Sequence, residues 1–304
     1  MDKYSAILRI AKKAGTWYES NPSSLNEELS EYISKASKVL NSKNYVPKNI
    51  RAIICPHAGY TYSGSTAAFS FINLMTDQIK NIKNIFVLGP SHSKYFKGAK
   101  VGQCDLIQTP YGNLESDRTI FTELAKKHNF SELEKSVDEN EHSLEMQYPY
   151  LYQSVYAYNY KPKVIPIMIG EINIKSAYDI AKELLNYFEN DDNIFVVSSD
   201  FCHWGNNFDY KPYSGTLDIW QYIENLDKEG ISYIQNKDVE GFASYLDNTQ
   251  NTICGRNPIL VLLSLISMSS NNINGKLLDY SQSSKVKSKN QSSVSYASIV
   301  FSKE

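Results

Sequence analysis

Cysteine is sparse in this chain. Its 304 residues carry four, Cys55, Cys104, Cys202 and Cys254, set far apart with no CxxC pair. Thiols scattered in this way argue against a disulfide scaffold and against a zinc finger. They read as free thiols of a reducing compartment, most of them packed as small hydrophobes. Long apolar runs are missing too. The longest, Ile259–Met268, is broken by Ser264 and Ser267 and falls short of the ~20 residues a spanning helix needs, so no membrane insertion is expected. Met1-Asp2-Lys3-Tyr4 is polar rather than signal-like. The expected location is the cytoplasm, with a nuclear share compatible. An excess of one charge is also absent: 31 Lys and Arg against 33 Asp and Glu leave −2, with no basic footprint for nucleic acid.

What remains is the composition of an ordinary globular protein, 42% hydrophobic and 21% charged, long enough to bury a large core. The 23 tyrosines, with a cluster from Tyr148 to Tyr160, read as a compositional bias rather than a functional signal. Short Val- and Ile-rich runs ending at turn residues predict strands at Ala52–Cys55, Ile85–Leu88, Lys163–Ile169 and Ile194–Val197. Leu277–Tyr280 and Val294–Val300 could form a further pair. Between these runs, Leu25–Leu40 places Leu29, Ile33, Ala36 and Leu40 on one helical face. Ser176–Phe188 and Asn257–Met268 repeat the pattern, the latter with Asn257 as N-cap and Pro258 at the first helical position. Ser281–Ser293 reads as a Ser/Lys-rich loop. No repeat and no clean linker divides the chain. The alternation predicts an α/β fold, a single domain over 1–304 with a central mixed sheet flanked by helices.

Histidine carries the functional signal. There are five, and three of them, His57, His92 and His203, each follow a predicted strand closely. Reacting groups in open α/β sheets gather beyond the carboxyl ends of strands, so residues distant in sequence can meet there. A lone histidine after a strand is as often a loop residue bonded to a carbonyl; three in one topological place point to a site. His128, in Lys126-Lys127-His128-Asn129, reads as a surface residue at a helix end. His142 lies among acids in Glu141-His142-Ser143-Leu144-Glu145. Read as a helix start, this segment sets Glu141 and Glu145 on one face. His142 and Glu141 then line a pocket rather than ligate. Cys254 precedes a predicted helix and Arg256, both of which favour the thiolate, as metal ligand or as nucleophile. A Cys254–His203–Asp200 arrangement for nucleophilic catalysis stays open on spacing alone.

Seven ordered motifs carry a resemblance. Ala14-Gly15-Thr16-Trp17-Tyr18, Pro56-His57-Ala58-Gly59-Tyr60-Thr61-Tyr62, Gly89-Pro90-Ser91-His92 and Glu141-His142-Ser143-Leu144-Glu145-Met146 are similar to segments of the Memo family. So are Val197–Gly205, Thr252–Arg256 and Ser292–Ala297, and the likeness runs from about Ala14 to Phe301. The family takes its name from a mediator of ErbB2-driven cell motility. The resemblance implies the fold of class III extradiol dioxygenases, which hold iron with two histidines and a carboxylate. On the matching positions, the metal ligands would be His57 and His92, with Cys254 where the carboxylate stands. Asp200 and His203 would lie beside them as acid/base or supporting groups. Family members are described as iron or copper binders, as redox proteins and as adaptors of signalling and cytoskeletal proteins. The adaptor role is linked to phosphotyrosine peptides. Zinc would suit the same donors, and Arg256 would suit a phosphotyrosine or other anionic peptide. Lys13, Ser93 and Asn257 stand where many or some relatives have histidine, so no ligand role rests on those positions. The softer thiolate argues against ordinary extradiol chemistry.

Overall fold

Alternating burial along the central strands sets the architecture. The computed structural model describes residues 5–46, 48–213 and 215–304. In β2 (Ile50–Cys55), Ala52 and Ile54 pack into one core while Ile53 and Cys55 pack into the other. β3 (Asn84–Pro90), β8 (Lys163–Ile169) and β9 (Asn193–Ser198) repeat this, which is why all four read as continuous apolar runs rather than alternating ones. They form the parallel centre of a mixed nine-stranded sheet, in the order β2-β9-β3-β8. β4 (Ala99–Val101) adds antiparallel to β8 and carries β7 (Phe130–Glu132). On the other side β12 (Ser293–Lys303) pairs antiparallel with β2, β10 (His203–Trp204) and β11 (Ile273–Gln282). A small second sheet joins β1 (Leu8–Arg9), β5 (Leu106–Thr109) and β6 (Gly112–Glu115). The result is an α/β domain built on a mixed sheet with helices on both faces.

α1 (Pro22–Ser42) starts where Asn21 accepts from the N–H groups of Ser23 and Ser24, with Pro22 at the first turn. It buries Leu25, Leu29, Ala36 and Leu40, packing with α2 (Tyr60–Phe71) and α5 (Tyr148–Ser154) on one face of the sheet. The other face is covered by α6 (Ile174–Glu189), α7 (Ile219–Gln235), α8 (Val239–Thr249) and α9 (Arg256–Met268). α3 (Arg118–Leu124) and α4 (Lys135–Asn140) are short connectors. None of the described helices is long and apolar enough to cross a membrane. The polar Met1–Tyr4 segment lies outside the described residues.

Two local expectations change. α9 begins at Arg256, with Gly255 rather than Asn257 at its N-cap. The Asn257 amide donates instead to the Gly170 carbonyl at 2.8 Å, tying α9 to the end of β8. Ser281 and Ser293, expected in a loop, belong to the facing strands β11 and β12.

The small sheet is anchored by a buried cation. Arg9, fully buried, pairs with Asp138 at 2.7 Å and Glu145 at 2.8 Å, and donates to the carbonyl oxygens of Asp138 and Glu141. Glu145 also accepts from the Lys13 N–H and the Tyr18 hydroxyl. Removing the guanidinium leaves two buried carboxylates without their cation, Glu145 keeping only the Lys13 N–H and the Tyr18 hydroxyl. Arg9→Met is therefore expected to cost about 3–5 kcal/mol in a urea unfolding titration. Adding Asp138→Asn and Glu145→Gln to that variant should recover most of the loss; no recovery would mean the pairs are not what Arg9 supplies.

Candidate metal centre

β2, β9 and β3 are adjacent and parallel, so their carboxyl ends open on one edge of the sheet. His57 lies just past β2, Ser199 and Asp200 past β9, and His92 just past β3. The α8–α9 loop brings Cys254 over the end of β9. Gly255 permits this approach: a Cβ there would overlap Ser199 and lie 2.6 Å from the Ser198 carbonyl oxygen. The turn after α4 supplies Glu141, His142 and Ser143.

Hydrogen bonds fix the histidine tautomers. The Ser198 hydroxyl donates to the Ser143 carbonyl at 2.7 Å, so its oxygen accepts from the Gln147 amide and from His57 Nδ1, at 2.9 and 2.7 Å. His57 therefore carries its proton on Nδ1 and turns the Nε2 lone pair towards the Cys254 sulfur, 3.1 Å away. His92 Nδ1 faces Glu141 Oε1 at 2.8 Å, which leaves its Nε2 free by the same logic. His203 Nδ1 meets the carbonyls of Phe201 and Thr252, at 2.8 and 3.0 Å, so it too is an Nδ1–H tautomer with a free Nε2. Carbonyl or carboxylate partners behind an imidazole are the usual support of metal-ligating histidines.

Two donor groups share His57. Ring nitrogens of His57, His92 and His142 lie within 4.8 Å of one another, as do the donor atoms of His57, Asp200 and Cys254. His142 sits in a turn rather than at a helix start. Its ring stacks on His92 at 4.3 Å and 23° and packs tilted against Trp17 at 4.4 Å and 30°. Stacked rings hold their in-plane lone pairs side by side, whereas His57 stands edge-on to both, at 78° and 79°. Glu145 does not share the pocket: it points away, to Arg9 and Tyr18. The imidazole beside Cys254 is His57, not His203. Arg256 lies at the rim, 46% exposed and 4.0 Å from Glu171. His128 is exposed and remote, while Cys55, Cys104 and Cys202 are buried.

Burial governs the electrostatics. Desolvation lowers the His57 pKa well below the ordinary value, and the neighbouring His92, His142 and His203 add to it. His142 is pushed down to about 4, by burial and then by His92, against the attraction of Glu141. Burial alone would raise Glu141, yet the hydrogen bond and charge of His92 hold it down at about 2. Cys254 behaves contrary to the sequence expectation. Burial, then Asp200, raises its thiol well above the ordinary range, and the backbone N–H groups of Asp200 and Gly255 offset only part of that. Without a cation, Cys254 is a thiol.

Sequence reasoning passed over Ser198, Gln147 and Trp17, which orient or cover the histidines. Their signal was there, as a polar Ser-Ser-Asp run closing an apolar strand and a Gln two turns into the Glu-His-Ser segment. It also passed over Asp227 on α7, fully buried, which accepts from the Cys202 N–H at 3.1 Å and from the Asn251 amide at 3.0 Å. Its second oxygen accepts from the Tyr280 hydroxyl at 2.9 Å. One carboxyl thus holds the two loops that carry His203 and Cys254. Burial raises it from 3.8 to about 6 against these hydrogen bonds. Its contribution is therefore fully present below about pH 4 and is lost as pH rises through about 6. Asp227→Asn keeps the acceptor oxygen and should be more stable than wild type at pH 7.5 by on the order of 3 kcal/mol, but not at pH 4. Thermal unfolding at the two pH values measures this; equal differences at both would contradict it.

Residues 9–300 match the profile of the family described as Memo-like protein. Protein memo-1 homolog of Caenorhabditis elegans is 36% identical, over 99% of this chain and 84% of its own length. Protein MEMO1 of Rattus norvegicus is 38% identical over 96% of both chains, and Protein MEMO1 of Homo sapiens is 37% identical over the same shares. The crystal structure of the uncharacterized protein JW3007 from Escherichia coli K12 superposes with a TM-score of 0.50 at 11% identity, over 81% of this chain and 98% of that one. That last likeness is one of fold alone. The profile match and the near full-length relatives agree with the motifs gathered at the sheet edge, and this chain belongs to the Memo-like protein family.

Proposed function

We propose that this chain binds one iron or copper ion between His57, His92 and Cys254, and that the ion serves a redox or signalling role in the cytoplasm. One observation carries the reading. Asp200 and Glu141 are buried carboxylates, and among the described residues their ion-pair partners within 4.0 Å are all histidines. Two of those histidines are held neutral by burial. Asp200 faces the His57 Nε2 lone pair at 4.0 Å, Glu141 is held by N–H donors, and neither has a paired Lys or Arg, so this buried negative charge fits a bound cation.

The donor set fits as well. Two imidazoles and a thiolate suit copper, iron or zinc, and the thiolate favours Cu(I) over what a carboxylate would favour. The preference for iron or copper comes from the family resemblance. When bound, such an ion supplies one-electron redox chemistry. The chain's own groups do the rest. Cys254 gives up its raised proton on binding, so affinity rises with pH. His203 keeps Nε2 available to take a proton, and Asp200 fixes the His57 backbone by accepting its N–H at 2.8 Å. The dioxygenase-like relation of the fold belongs to this proposal too, with ordinary ring-opening activity disfavoured by the thiolate. A second reading, an adaptor that captures a phosphotyrosine or other anionic peptide, is favoured by the exposed Arg256 guanidinium at the rim.

Anaerobic titration with Fe(II) and Cu(I), followed by calorimetry, tests the first reading. Wild type should take up one equivalent. His57→Ala and Cys254→Ser should each lose at least about 100-fold in affinity. Glu141→Gln, which sets an amide donor against the His92 N–H groups, should lose about 10- to 100-fold. Wild-type affinity in all three variants would overturn the metal reading. Pull-down with phosphorylated and unphosphorylated tyrosine peptides, compared with Arg256→Gln, tests the second.

A further inference from the structure

The pocket beside Cys254 continues past Arg256. A small chamber of about 170 Å³, bounded by His92, Cys254 and Gly170, shares Glu171, Arg256 and Asn257 with a larger cavity of about 570 Å³. The larger one lies within the usual range for small-molecule sites, about 300–1,000 Å³. Arg256 and Glu171 stand between the two, 4.0 Å apart and each about half exposed, so neither is committed to a tight ion pair.

Three kinds of group face this cavity. The first turns of α6 and α9 both open on it, through Asn173–Lys175 and Arg256–Asn257. In these first turns the Ser176 N–H is taken by Asn173 Oδ1 and the Arg256 N–H by the Ile253 carbonyl, and Pro258 has none; the N–H groups of Ile174, Lys175 and Asn257, with the Lys175 and Arg256 side chains, make the anion-attracting end. Glu171 and Asp247 are acids on the same wall and limit the net charge it can hold. Ile172, Leu246 and Leu260 supply an apolar surface. The third group is Asn251, 2% exposed, which also lines the cavity. Its amide nitrogen donates to Asp227 at 3.0 Å and to the Tyr245 hydroxyl at 2.8 Å, which fixes the orientation of the side chain. Its Oδ1, buried, has no hydrogen-bond partner among the described residues. An acceptor held in this way seeks a donor.

We propose that this cavity is a binding site for a small amphipathic carboxylate that carries a hydroxyl or amine. The carboxylate lies on Arg256 and the two helix ends, the hydrocarbon body on Leu246 and Leu260, and the donor on Asn251 Oδ1. The site adjoins the proposed metal position but does not depend on it.

Calorimetry with three probes tests the assignment: 10-hydroxydecanoate, decanoate and 1,10-decanediol. The hydroxy acid should bind tightest, with decanoate weaker for want of the donor and the diol weakest for want of the charge. Arg256→Gln should weaken both acids at least about tenfold and leave the diol unchanged, and added salt should act in the same direction. Leu246→Trp, a filling substitution on a half-exposed helix face, should abolish binding of all three. Diol binding as tight as the hydroxy acid, no binding of either acid, or wild-type binding in Leu246→Trp would overturn the proposal. If Leu246→Trp fails to fold, Arg256→Gln with the acid–diol pair still decides it.

Discussion

Glu141 is the buried carboxylate on which the site depends. Its two oxygens accept from the His92 N–H at 2.6 Å, the His92 ring at 2.8 Å, and the N–H groups of His142 and Ser143 at 3.0 Å. An ionised acid in that position would be costly without such donors. With them, it locks the segment after β3 to the turn after α4, and it decides which nitrogen of His92 faces the pocket. Ser143 extends the effect, since its carbonyl takes the Ser198 proton that fixes the tautomer of His57. One acid therefore orients both imidazoles on either side of β9.

The surroundings keep this arrangement rigid from two directions. Arg9 reaches from the small sheet into the same turn, bonding the carbonyl oxygens of Asp138 and Glu141 as well as two acids. Asp227 holds the opposite loops from α7. Both are buried ionisable groups where hydrophobic packing would serve stability as well or better. Their placement against loops of the site, rather than in the apolar cores, ties their cost to positioning. The thiol of Cys254 follows the same logic. Held half-buried beside Asp200, it is a poor nucleophile by itself and a good ligand once a cation arrives.

Much of the fold was legible because the central strands are buried on both faces and so read as apolar runs; Lys163–Ile169 coincides with β8 to the residue. The meeting of His57 and His92 at one sheet edge was legible from strand topology, whereas the third ring beside them is His142. What stayed hidden depends on long-range contacts. The small sheet rests on β1, two residues long, whose Arg9 finds partners more than a hundred positions away. The start of α9 moved because Asn257 has a tertiary partner in Gly170, which local capping rules do not see. His142 and Glu145 parted company because the chain turns at Glu141 instead of entering a helix, sending one side chain to the pocket and the other to Arg9. The raised thiol of Cys254 was invisible because helix ends and arginines can be read from sequence, whereas burial and the neighbouring Asp200 cannot.

X-ray absorption spectroscopy at the metal edge, on protein loaded anaerobically with one equivalent of Cu(I) or Fe(II), reads the donor set itself. One sulfur scatterer at about 2.3 Å is expected together with two imidazoles at about 2.0–2.1 Å, with loss of the sulfur shell in Cys254→Ser. A wild-type first shell of nitrogen and oxygen alone would contradict it.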